Sequence, residues 1–186
     1  MINQEVKGTL AKLLATENLT VEHRKVTTAS FDVVNRVLVL PIWKTASSTV
    51  YDLLVGHEVG HALYTPDTVH DANRGFVNVL EDVRIEKMMK RTYPGLRKSF
   101  FEGYTELNDD DFFGVNDEDL TKIPFIDRIN LWFKGNPNIQ FSDEEQVWVD
   151  RAAKTETFDE VVQLAIDLYG SCLLYTSDAA DEVAGG

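Results

Sequence analysis

The chain has 186 residues, 44% hydrophobic and 26% charged, which is long enough for a buried core and ordinary for a globular domain. A formal net charge of −13 and a pI near 4.6, with no offsetting Lys/Arg cluster, exclude a surface built for a nucleic-acid backbone. Residues 1–20 lack the apolar centre of a signal peptide and no run reaches the length of a membrane span, so the expected partners include neither nucleic acid nor membrane, and the expected location is cytoplasmic.

Residues 3–16 read as an amphipathic packing helix with Asn3 as N-cap and Val6, Leu10, Leu13 and Leu14 at helical spacing. From Thr20 the pattern turns to β-branched and aromatic residues. It predicts strands over 26–31 and 36–42 joined by a turn over 32–35, a small antiparallel hairpin. Pro41 has no N–H to give, so the second strand is an edge or ends there, and an edge at this place could take an extended substrate as an added strand. His23, among Glu22, Arg24 and Lys25, reads as a solvated surface residue.

Residues 45–49 are rich in capping types, with Ser47 or Ser48 best placed to start a helix that Pro66 ends just beyond Tyr64. That helix carries Gly56-His57-Glu58-Val59-Gly60-His61, an H-E-x-x-H motif in an almost wholly apolar run. On a helix, residues four apart lie side by side with Cβ atoms about 6 Å apart, which is the spacing of two zinc-ligating imidazoles. Glu58 can then reach an attacking water as general base without being a ligand. Burying two imidazoles and a carboxylate together is costly unless something pairs them, and a divalent metal would. Gly56 and Gly60 each cost about 1 kcal/mol relative to Ala in a helix, which predicts that another backbone passes close by.

In the loop that follows, Asp67 and His70 are polar candidates for substrate contacts, weighed against plain loop chemistry. A second helix is predicted over 76–91. Asn78, Glu81 and Ile85 share one stripe of it, while Asp82 and Glu86 share the next. The sequence leaves rotation about this axis open, so Glu81, Asp82 and Glu86 compete as ligand, and Asp82 or Glu86 could accept an imidazole N–H. Arg84 could pair with one of these carboxylates or steady an oxyanion, a role for which His70, Tyr64, Tyr93 and Tyr104 are also candidates.

The motif helix and the acidic helix after it resemble the gluzincin class of zinc peptidases. A closer likeness is to a metallopeptidase of large tailed bacteriophages, carried by Gly56 to Leu63, Glu81 to Glu86 and Tyr93 to Leu96 within residues 30–115. The resemblance implies an α+β, mainly α, zincin-like domain with one Zn²⁺ held by His57, His61 and Glu81, Glu58 as general base, and a peptide or protein substrate. Three functions follow: a zinc metallopeptidase, a non-catalytic zinc-binding scaffold, or an amidase with the same metal apparatus. The phage relatives imply a von Willebrand-type domain downstream, through which partner proteins would bind, and the host cytoplasm as location.

Past the Tyr93-Pro94-Gly95 break, helices are predicted over 96–107, over 119–133 with an interruption at Pro124, from the Ser142/Glu145 capping box to Lys154, and from Thr157/Glu160 to Tyr169. Trp132, Phe133 and Trp148 are expected in the core. The acidic stretch 109–119 lacks the order of a calcium loop and reads as a solvated linker. Residues 172–186, which include the sole cysteine, resemble the in-frame translation of a sequencing adapter, so a native domain over 1–171 that continues beyond this sequence is expected.

Overall fold

The structure, a computed structural model, describes the backbone of residues 3–184 and the side chains of residues 3–172. The adapter-like stretch therefore lies, but for Cys172, outside the described side chains. Among the described residues there are seven helices and one three-stranded sheet, an α+β, mainly helical architecture. No helix among them is long and apolar enough to cross a membrane. The chain packs as two compact units, residues 1–67 with 85–140 and residues 68–84 with 141–186.

The first unit opens with α1 (Gln4–Ala15), whose N-cap Asn3 accepts the N–H groups of Glu5 and Val6. Its buried face matches the expected one only in part: Leu10 and Leu14 pack against the core and Lys7, Ala11 and Ala15 turn inward, while Val6 and Leu13 are 56% and 71% exposed. The cause is long-range. Lys7 donates to Ser48 O, Ser48 Oγ and Asp52 Oδ1 at 3.2, 2.7 and 2.5 Å, and this anchor rotates the helix.

Three strands follow, β1 (Thr20–Arg24), β2 (Ser30–Asp32) and β3 (Val37–Pro41), in the order β1-β3-β2. β2 and β3 form the expected antiparallel hairpin, shorter than predicted and closed by Asp32 Oδ1, which accepts from Val34 N and Asn35 N. β1 was not anticipated; it runs parallel to β3 and pairs Thr20 with Val37 through Arg24 with Pro41. β3 does end at Pro41, but it is the central strand, so it has no edge to offer a substrate. Its Leu38 and Leu40 are fully buried beside Ala11, Leu19, Val50, Val55 and Val59 in the main core.

The motif helix α2 (Ser48–Tyr64) starts where the capping chemistry places it, with Ser47 Oγ accepting from Val50 N. Residues on all its sides are buried. It packs against α4 (Leu96–Asp109) and against the C-terminal half of α3 (Arg74–Thr92). The two glycines mark those approaches, although the near neighbours are side chains rather than backbone. A Cβ on Gly56 would stand 2.9 Å from the Phe100 ring, and one on Gly60 would stand 2.8 Å from Ile85 Cδ1. α5 (Phe125–Phe133) completes the unit with Ile129 and Leu131 buried, but Trp132 is 43% exposed and not the core residue expected.

The second unit holds the N-terminal half of α3, then α6 (Asp143–Lys154) and α7 (Phe158–Ala184). Asn73 Oδ1 caps α3 by accepting from Gly75 N and Phe76 N. The Ser142/Glu145 box closes reciprocally, as does Thr157 with Glu160. Trp148 lies under the Arg151 guanidinium, 4.7 Å from its ring, rather than deep in a core.

Candidate metal centre

His57 and His61 project from neighbouring turns of α2, their rings 5.0 Å apart and inclined at 74°. Both are half-buried, and Glu58 between them is buried. His57 Nδ1 lies 2.9 Å from Glu86 Oε1, and the same oxygen accepts the Tyr104 hydroxyl. A carboxylate only accepts, so the proton of the His57 ring sits on Nδ1 and the lone pair on Nε2. His61 Nδ1 lies 2.9 Å from Thr65 Oγ1, which orients the second ring from the last turn of the same helix. Burial pushes the Glu86 carboxyl up, but the hydrogen bond from His57 and the positive charges of Lys90 and Lys134 help outweigh it and hold the group below the usual carboxylate range.

The third member comes from α3. A ring nitrogen of each histidine and a carboxylate oxygen of Asp82 all lie within 4.8 Å of one another, and this group could hold a metal ion. Further along α3, Ile85 and Met89 stand against Gly60 of α2. Ligands about 2.1 Å from a tetrahedral zinc stand about 3.4 Å apart, so small side-chain rotations would close the set. The donors fit zinc chemically: two imidazoles with Nδ1 engaged elsewhere, and one carboxylate.

The carboxylate that joins the two imidazoles is thus Asp82, while Glu81, which the resemblance implied, is 2% exposed and accepts twice from Arg84, Oε2 from Nε at 2.8 Å and Oε1 from Nη2 at 2.7 Å. One position along a helix is a rotation of about 100°. Asp82 and Glu86, which share a stripe, lie toward the histidines, while the Glu81 carboxylate is engaged by Arg84. Arg84 three residues beyond Glu81 is the signal in the sequence for that pairing.

Arg84 is buried and also donates to Glu156 O, so its guanidinium is committed to structure. His70 sits 6.0 Å from the Phe158 ring with Nδ1 buried and, among the described residues, without a hydrogen-bond partner. The hydroxyls of Tyr64, Tyr93 and Tyr104 bond Thr92 Oγ1, Leu14 O and Glu86 Oε1. Asp67 is exposed in the loop after α2. His23 is half-buried on β1, not solvated, and burial lowers its pKa. Thr65, the partner of His61, was missed; its position four residues on from that histidine in the last turn could have shown it. No protein-family model matches the chain, and comparison with curated proteins and with solved structures likewise returns no match.

Proposed function

We propose that this protein is a zinc-dependent metallopeptidase. What supports the reading is the joint placement of His57, His61 and Asp82 within ligand reach, with the His57 ring held in the metal-binding tautomer by a buried carboxylate. A scaffold needs the ligands, but it has no need of a buried Glu58 between them. The proposed ligand set is His57 Nε2, His61 and Asp82, a departure from the gluzincin resemblance only in the third residue. A bound zinc would supply Lewis acidity, polarising the scissile carbonyl and acidifying the attacking water.

The protein's own groups do the rest. Glu58 takes the proton of the water on its carboxylate and later gives it to the leaving amine. Glu86 and Tyr104 keep the His57 ring from turning, and Thr65 does the same for His61. The same reading takes the sheet and helices around α2 as a zincin-like fold working in the cytosol on a peptide or protein substrate. Glu58→Gln keeps the shape of the side chain and removes the base. Peptide hydrolysis should fall by about 10²- to 10⁴-fold while zinc content stays unchanged. A variant that cleaves at the wild-type rate would sink the assignment, and a wild type that holds zinc but cleaves no peptide would leave a zinc-binding scaffold.

A further inference from the structure

The last turn of α2 lacks a hydrogen bond that the helix cannot supply from within. Ala62 O would take its donor from four residues on, and residue 66 is proline, which has no N–H. Pro66 also disfavours helical backbone at Thr65, whose φ and ψ are −89° and 116°. Ala62 is buried, so its carbonyl needs a partner from the protein. The donor comes from the residue before β3: Arg36 Nη2 gives its N–H to Ala62 O at 2.7 Å. The same guanidinium pairs with Glu17 and lies 4.9 Å from the centre of the Phe31 ring, so it is held on three sides at the negative end of the helix dipole.

Arg36 is at odds with its own backbone. Its φ of 57° lies in the left-handed region, in the turn between β2 and β3, where a glycine after Asn35 would be the least strained choice. Glycine would serve the turn better; the arginine serves the end of α2. That end carries His61 and Thr65, joined through Nδ1 and Oγ1 at 2.9 Å, while Thr65 N reaches back to His61 O at 3.0 Å. If this turn frays, Thr65 leaves the ring and His61 loses its orientation. We infer that Arg36 is a positioning residue of the metal centre, which keeps the His61 ring in place by capping the C-terminal turn of α2 where Pro66 leaves it open. The inference rests on the metal site of the peptidase reading, but the turn itself can be observed without metal.

The test compares the wild type with Arg36→Gly, Glu17→Gln and the double variant Arg36→Gly/Pro66→Ala. Glycine suits the left-handed turn, so Arg36→Gly should fold with a melting temperature near that of the wild type. In the metal-free protein its Thr65 amide should exchange with solvent about tenfold faster. Zinc affinity, by competition with a chromogenic chelator, should fall about tenfold. Pro66→Ala gives Ala62 O a backbone donor again, so in the double variant both values should return toward those of the wild type. Glu17→Gln leaves the bond to Ala62 O in place and should change neither. Unchanged Thr65 exchange or zinc affinity in Arg36→Gly, a loss that Pro66→Ala does not repair, or an equal loss in Glu17→Gln would overturn the inference. So would a lower melting temperature with full zinc affinity, the mark of a residue that only holds the sheet. A wild type that binds no zinc would remove the metal reading and with it the centre that Arg36 is held to serve, whereas zinc bound equally by wild type and Arg36→Gly would remove the inference alone.

Discussion

Glu81 and Glu86 stand five residues apart on α3 and are equally buried, at 2% and 4% exposure, yet they are satisfied in opposite ways. Glu81 closes on Arg84 of its own helix, a fork-to-fork pair that fixes local structure. Glu86 reaches outward to His57 of α2 and Tyr104 of α4, so that one carboxylate joins three helices and sets the proton on an imidazole. A buried acid beside an H-E-x-x-H motif is therefore no sufficient sign of a ligand. What it accepts from decides whether it holds the fold or the site.

The contrast between the two acids can be broken from either side. Arg84→Ala leaves Glu81 buried without its guanidinium and should cost about 3–5 kcal/mol of stability, read by denaturant unfolding, with metal stoichiometry retained in the folded fraction. Glu86→Gln keeps an acceptor near His57 but loses the charge. Zinc affinity should drop by about 10- to 100-fold in competition with a chromogenic chelator, with less loss of stability than Arg84→Ala. If the two variants exchanged these phenotypes, the roles of the two acids would be reversed.

Two smaller changes sharpen it. Gly56→Ala places a methyl 2.9 Å from the Phe100 ring of α4, the helix that brings Tyr104 to Glu86. Overpacking of about 1–3 kcal/mol should exceed the roughly 1 kcal/mol gained in helix propensity, giving a net lower melting temperature. Asp167, partly exposed on α7, pairs with Arg151 at 2.6 Å, and the hydrogen bonds from Arg151 and Gln163 hold its pKa below the usual carboxylate value. A depressed carboxylate contributes stability above its unfolded pKa and loses it as pH falls through the folded one. Asp167→Asn should therefore cost less than about 1 kcal/mol at neutral pH, and the difference from wild type should vanish in acid. Beside Glu81 with Arg84, it measures how far burial magnifies the same chemistry.

Most of what the sequence made legible was local. Ser47 capping α2, the Ser142/Glu145 and Thr157/Glu160 boxes and the four-residue spacing of His57 and His61 each involve residues within one turn. What stayed hidden depends on partners far along the chain. β1 exists because β3 pairs with it in parallel, and a parallel pairing leaves no turn signal between the strands. The inward turn of Lys7 on α1 depends on Asp52, and Trp43 meets Phe112 only through the fold. Whether Asp82 or Glu81 lies nearer the histidines turns on the rotation of α3, which the sequence leaves open. A stripe of acids was visible; which stripe faced the histidines was not.

The most direct test of the metal centre is zinc per chain, by elemental analysis, on folded wild type, Asp82→Ala and Glu81→Gln. One zinc is expected on the wild type and on Glu81→Gln, and none on Asp82→Ala. A folded wild type without metal, or zinc that survives Asp82→Ala and is lost in Glu81→Gln, would contradict the ligand set proposed for this centre.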